Sequence, residues 1–135
     1  MKKLFVFLMV TCVVSILAAQ SVQAQNYNGN LEVTVYGSTT SQPAIISVTD
    51  NSSSAILSLT GVSFPGYPNL NITATVSKTG ETINDLISIE VTGESTPDPI
   101  EGISASGTIN STACNVTFDL MAMYFISVQV HFTSN

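Results

Sequence analysis

Tryptophan and arginine are both absent from this chain, histidine occurs once, and three lysines face nine acidic side chains. Each shortage excludes something. Two of the lysines, Lys2 and Lys3, sit at the extreme N-terminus, so Lys78 is the one cation in the remainder of the sequence. Such a surface repels phosphate backbones and anionic lipid, and nucleic acid is not expected as a partner. The missing tryptophan removes the flat aromatic platform that sugar sites commonly use. His131 falls between Val130 and Phe132, on the polar face of the last apolar-polar alternation, where a lone histidine is ordinarily solvated rather than a general base or metal ligand.

Cysteine is equally scarce. Cys12 lies in the N-terminal apolar run, leaving Cys114 without a partner in the rest of the chain, so no disulfide holds the fold. Cys114 stands two residues before Val116 and four before Phe118, in the pattern of a buried strand residue, and a nucleophilic thiol would need a base and an electropositive setting.

The N-terminus has the form of an export signal. Lys2 and Lys3 supply a positive start, residues 4–19 form an apolar stretch short for a membrane span, and Val22-Gln23-Ala24 offers small side chains at a cleavage site. Cleavage is expected after Ala24, leaving residues 25–135 as one domain without a transmembrane segment. Lipidation at Cys12 is the alternative, but Met9-Val10-Thr11 is a poor lead-in and the apolar run continues past it. The remaining domain carries nine acids against Lys78 alone, a formal charge of −8.

What is abundant is alternation. Leu31, Val33 and Val35 alternate with polar neighbours before turn chemistry over residues 37–43, and Ile46 and Val48 form a second short run. Leu57 and Leu59 form a third. The fourth is the cleanest, with Leu70, Ile72, Ala74 and Val76 on one side and Asn71, Thr73, Thr75 and Ser77 on the other. A hairpin turn at Lys78-Thr79-Gly80-Glu81 leads to Ile87, Ile89 and Val91, then to Ile103, Ala105 and Ile109, to Cys114, Val116, Phe118 and Leu120, and to Ile126, Val128, Val130 and Phe132. No amphipathic helical spacing follows the signal.

The spacing predicts an all-β fold, an antiparallel up-and-down meander of about eight strands. Such a meander buries its apolar face by closing into a small barrel or by folding into a two-layer sandwich; uniform hairpins without a long crossover favour the barrel. The inward set is almost wholly Val, Ile, Leu, Ala and Phe. An eight-stranded interior is either filled by such side chains or holds one small ligand.

Candidate sites are few. Glu94, Asp98 and Glu101 could gather around calcium, but the spacing matches no dedicated loop and reads as a solvated acidic turn, as Asp50-Asn51 reads as turn chemistry. The sequons at Asn51, Asn71, Asn110 and Asn115 follow from an Asn- and Thr-rich composition. No catalytic residue, metal ligand or cofactor is expected, and the chain reads as a non-enzyme. Two bulky stretches are not explained by alternation: Phe64-Pro65-Gly66-Tyr67-Pro68, and Leu120-Met121-Ala122-Met123-Tyr124-Phe125. They either plug the ends of the fold or supply contacts, in which case Phe64, Tyr67, Met121, Met123 and Tyr124 are the expected ligand-binding residues.

The opening Tyr27-Asn28-Gly29-Asn30-Leu31-Glu32-Val33-Thr34-Val35, the stretch Ile46-Ser47-Val48-Thr49-Asp50 leading to Leu57-Ser58-Leu59, and Val62-Ser63-Phe64 before a Gly-Pro turn resemble the calycin-like β-barrel family of small secreted Gram-negative bacterial proteins. The resemblance resumes at Ile103-Ser104-Ala105-Ser106-Gly107 and over residues 118–132; Cys114 and the Pro97-Asp98-Pro99 loop depart from the pattern. It implies a lipocalin-like barrel exported to the periplasm or cell exterior, with no catalytic residues to carry over. Two functions remain open: a binding module for a small apolar ligand, or a structural or protein-interaction domain with a filled core that acts through apolar end loops.

Overall fold

The alternating segments form eight strands: β1 (Ala24–Val35), β2 (Ser38–Asp50), β3 (Ser54–Phe64), β4 (Tyr67–Thr79), β5 (Thr82–Thr92), β6 (Ile100–Ile109), β7 (Cys114–Ala122) and β8 (Ile126–Ser134). The structure is a computed structural model that describes residues 24–64, 67–93 and 99–135. The expected export segment up to residue 23, Pro65-Gly66, and Glu94, Pro97 and Asp98 lie outside the described residues. Ala24 opens β1, opposite Thr49.

Every strand pairs antiparallel with the next, and β1 also pairs with β8 from Gly29↔Ser134 to Val35↔Val128. The meander therefore closes into a barrel rather than a sandwich, and closure removes the two free edges an open sheet would present. This architecture is compatible with the calycin-like barrel that the sequence resembles. Leu31, Ile46, Leu57, Ile72, Phe118 and Phe132 are among the fully buried side chains of one continuous core. Thr, Ser, Asn and Glu take most outward positions, the reverse of a barrel whose outer wall faces lipid. In β8 the two sets separate as the alternation requires: Val128, Val130 and Phe132 are buried, Ile126 is half-buried, and Ser127, Gln129 and Thr133 are exposed.

Strict alternation fails in β3, where Thr60 and Gly61 together stand between Leu59↔Ile72 and Val62↔Leu70, and more consequentially in β5 and β6, with bulges as the cause. The β4–β5 register jumps from Thr75↔Ser88 to Val76↔Leu86 and again from Ser77↔Asp85 to Lys78↔Ile83, so Ile87 and Asn84 are extra residues. Inward positions of β5 thus fall at Ile83, Leu86 and Ile89, while Ile87 is 60% exposed rather than aligned with Ile89 and Val91. Ile103 is likewise the extra residue between Gly102↔Leu120 and Ser104↔Asp119, and is 56% exposed.

Among the described prolines, Pro43 and Pro68 lie within strands rather than ending them. Pro43 lies within β2, opposite Asn30, in a stretch that pairs with β1 only, since the β2–β3 ladder begins at Ile46↔Leu59. A proline is tolerated there because one side of the strand has no ladder to lose. Gln42 bridges that gap, donating from Nε2 to the Gly61 carbonyl and accepting from the Ser63 amide. The turn after β1 is consequently just Tyr36-Gly37, shorter than the 37–43 segment the sequence indicates.

In a meander, connections alternate between the two ends. Turns β2–β3, β4–β5 and β6–β7 share one end with the start of β1; turns β1–β2, β3–β4, β5–β6 and β7–β8 share the other.

Candidate functional site

Two turns at the second end present tyrosines in left-handed backbone conformations. Tyr36 has φ 54° before Gly37 at 76°, and Met123 has φ 53° before Tyr124 at 71°. Positive φ at both central residues is the type I′ hairpin turn, whose twist matches that of the strands and which Asn-Gly ordinarily occupies. A bulky residue there crowds its Cβ against backbone, at a cost of about 1–2 kcal/mol. Both tyrosines nevertheless stand in solvent, 76% and 77% exposed, and Phe125 beside Tyr124 is 69% exposed.

The two turns are neighbours because β1 and β8 pair. Val35 lies opposite Val128, which brings Tyr36 level with Ser127, the second residue of β8 after the β7–β8 turn. The β7–β8 turn is anchored: the Met123 amide donates to the Pro99 carbonyl at 2.7 Å, and the Phe125 amide to the Ala122 carbonyl at 3.2 Å. Its aromatic side chains are exposed on a held backbone.

The five residues expected from sequence all belong to this end. Phe64 and Tyr67 form the last backbone pair of the β3–β4 ladder. Met121 is half-buried on the outer wall of β7, between Glu101 and Ser127, and Met123 is half-buried in the turn. Phe125, the last residue of the bulky 120–125 stretch, belongs with them, as does Tyr36, which lies outside both bulky stretches; Tyr36-Gly37 between two alternating runs is the signal that would have found it.

The opposite end is polar and holds a cavity of about 340 Å³. Lys78 continues the inward row Leu70, Ile72, Ala74 and Val76, so its side chain is buried at the end of the core. Asp50 ends the inward row of β2, and Lys78 Nζ donates to both of its carboxylate oxygens at 2.7 Å. Around them the Tyr27 hydroxyl donates to the Asn110 carbonyl at 2.6 Å, Gln25 Nε2 to the Ser111 carbonyl at 2.7 Å, and Asn110 Nδ2 to Glu81 at 3.1 Å. Burial first, then the charges of Cys114 and Asp50, push the Tyr27 phenol above its ordinary value. The polar groups here hold one another, so the arrangement closes the barrel end.

His131 comes within reach of both a carboxylate and a hydroxyl. Its Nδ1 is 3.6 Å from Glu32, and its Nε2 is 3.2 Å from Thr133 Oγ1 and 2.9 Å from Asn115 Oδ1. The group lies on the outer wall of β1, β7 and β8 rather than in a cleft. When Nε2 donates to Asn115 Oδ1, its lone pair is not available to take a proton from Thr133. Cys114 is buried, and desolvation pushes its thiol up to about 12, far from thiolate chemistry at neutral pH. Among the described residues no three His, Cys, Asp or Glu side chains stand close enough to share a metal ion. Glu101 is an exposed residue of β6, and its expected companions Glu94 and Asp98 are outside the described residues.

No family model, curated protein or solved structure matches the chain.

Proposed function

We propose that this chain is an exported, calycin-like barrel acting without catalysis, as a protein-interaction module whose contact surface is its aromatic end. One observation carries the reading: Tyr36 and Tyr124 are kept, exposed, at adjacent turn positions where glycine or asparagine would relieve backbone crowding. Strain retained at an exposed aromatic has a physical rationale when the ring is needed for contact, since tyrosine supplies a large amphipathic surface with little rotamer entropy to lose. Phe125 extends the patch. Export rests on the N-terminal signal, and the −8 charge after its removal directs the module toward neutral or basic partners.

The interior reading, a small apolar ligand inside the barrel, has less support. Val48, Leu59, Ile72 and Val128 belong to one continuous buried cluster, with Ile89 packed against it.

The test is a photo-crosslinking phenylalanine analogue at position 124, compared with the same analogue at exposed position 129, in protein recovered from the cells that make it. A defined crosslinked protein at 124 and none at 129, lost when Tyr36 and Phe125 are replaced by serine, supports the reading. Native mass spectrometry showing a retained small apolar molecule, with no crosslink at 124, overturns it.

A further inference from the structure

Besides the gap between β2 and β3 that Gln42 bridges, the barrel wall has a second loose seam. β5 pairs with β4 from Asn71↔Thr92 to Thr79↔Thr82, and β6 pairs with β7 from Ile100↔Ala122 to Ile109↔Cys114. Between β5 and β6, however, the ladder consists of Thr82↔Thr108 and Ile83↔Gly107 alone. Past these pairs, residues 84–92 and 100–106 run on toward the aromatic end without a shared ladder, and side chains close the wall. Leu86 and Ile89 lie over Gly102 so closely that a Cβ there would collide with Leu86 Cδ2. The bulges at Asn84, Ile87 and Ile103 all border this seam, and they turn one exposed isoleucine outward from each strand.

Strand edges without a ladder are templates for another strand, and natural sheets normally cover or shorten them. The electrostatics select the occupant. Six of the nine acids, Glu81, Asp85, Glu90, Glu94, Asp98 and Glu101, fall within residues 81–101, a stretch with no cation. Asp85, Glu90 and Glu101 are exposed, while Lys78 is buried against Asp50. A second copy of this chain would bring like charge to like charge. A cationic segment is complementary.

We propose that the β5–β6 seam accepts an extended cationic peptide segment, added as a strand along β5, with alternate apolar side chains against Ile87 and Ile103 and basic ones beside Asp85, Glu90 and Glu101. The nine residues from 84 to 92 span about 30 Å, enough for a strand of ordinary length. This surface is on the side wall and does not depend on the aromatic turns.

The probe is a fluorophore-labelled peptide of about eight alternating lysine and valine residues, followed by anisotropy. Its control carries the same charge with two valines replaced by proline, which cannot donate to a ladder. Expected are binding that weakens at about 0.5 M salt, at least about tenfold weaker binding of the proline peptide, and slowed amide exchange over residues 84–92 and 100–106. The double change Glu90→Gln and Glu101→Gln, at exposed sites, is expected to weaken binding about tenfold with an unchanged denaturation midpoint, and Tyr124→Ser to leave it unaltered. Equal binding of both peptides reveals charge adsorption without strand addition and overturns the proposal. Absent binding, or protection confined to other strands, overturns it as well.

Discussion

Lys78 and Asp50 meet across an intervening strand: Nζ lies 2.7 Å from each carboxylate oxygen, and the residues are 28 positions apart in the chain. Ala55, opposite Asp50 on β3, offers a single methyl group at that level and leaves the lysine stem room to cross. The pair is lopsided, with a lysine side chain 3% exposed and an aspartate side chain 42% exposed. It caps the polar end of the core.

That asymmetry makes the two halves unequal to lose. Asp50→Ala strands a buried ammonium and is expected to cost about 2–3 kcal/mol, somewhat below a fully buried pair because water reaches the acid. Lys78→Met leaves a carboxylate that solvent still hydrates and is expected to cost under about 1 kcal/mol. Adding Lys78→Met to Asp50→Ala should recover most of the loss. Denaturant midpoints check this; equal single costs would show that the lysine is hydrated.

Relieving the left-handed turns should stabilise the barrel. Tyr124→Gly, and Tyr36→Asn ahead of Gly37, are each expected to gain about 1 kcal/mol and raise Tm, because the new residues enter positive φ with less crowding. Tyr124→Ala retains the Cβ and should gain nothing. A fall in Tm for Tyr124→Gly would mean that the ring packs onto the barrel mouth.

Bulge-shifted alternation can be read from stability alone. Ile87→Thr and Ile103→Thr are expected to stay within about 0.5 kcal/mol as exposed changes, whereas Leu86→Ala costs about 2 kcal/mol through lost packing. Val128→Asp, which buries an unpaired carboxylate, should cost more than about 3 kcal/mol, against a negligible effect for Gln129→Lys opposite Asp119. Parity of Ile87→Thr with Leu86→Ala in urea melts would mean that β5 runs without its bulges.

The buried thiol supplies an alkaline limit. The folded chain holds the Cys114 proton up to about 12, whereas the unfolded chain releases it near the ordinary thiol value of 9.0. The contribution is therefore complete below pH 9 and lost as pH rises toward 12, because the unfolded state is the one that gains by ionising, at about 1.4 kcal/mol per pH unit for one proton. Tyr27, raised mainly by burial, acts with the same sign at higher pH. Cys114→Ala should flatten stability between pH 9 and 10 in pH-resolved denaturation, and the native thiol should resist alkylation at pH 8 until denaturant is added.

The sequence by itself determined the eight-stranded meander, most of the inward rows and most of the hairpin positions, because period-two alternation and turn residues are local properties of the backbone. It also marked Met123 and Tyr124 as bulky residues in a connection. Only the tertiary structure decided what depends on pairing between distant segments. Closure into a barrel needed Leu31 opposite Phe132, and the outward turn of Ile87 and Ile103 needed register shifts against β4 and β7. Lys78 illustrates the boundary: its parity with Val76 was readable as an inward position, but its lysine side chain pointed the reading to a turn. Asp50, two strands away in the wall, makes that burial tolerable, and no local pattern reports a partner brought close by the curvature of the sheet.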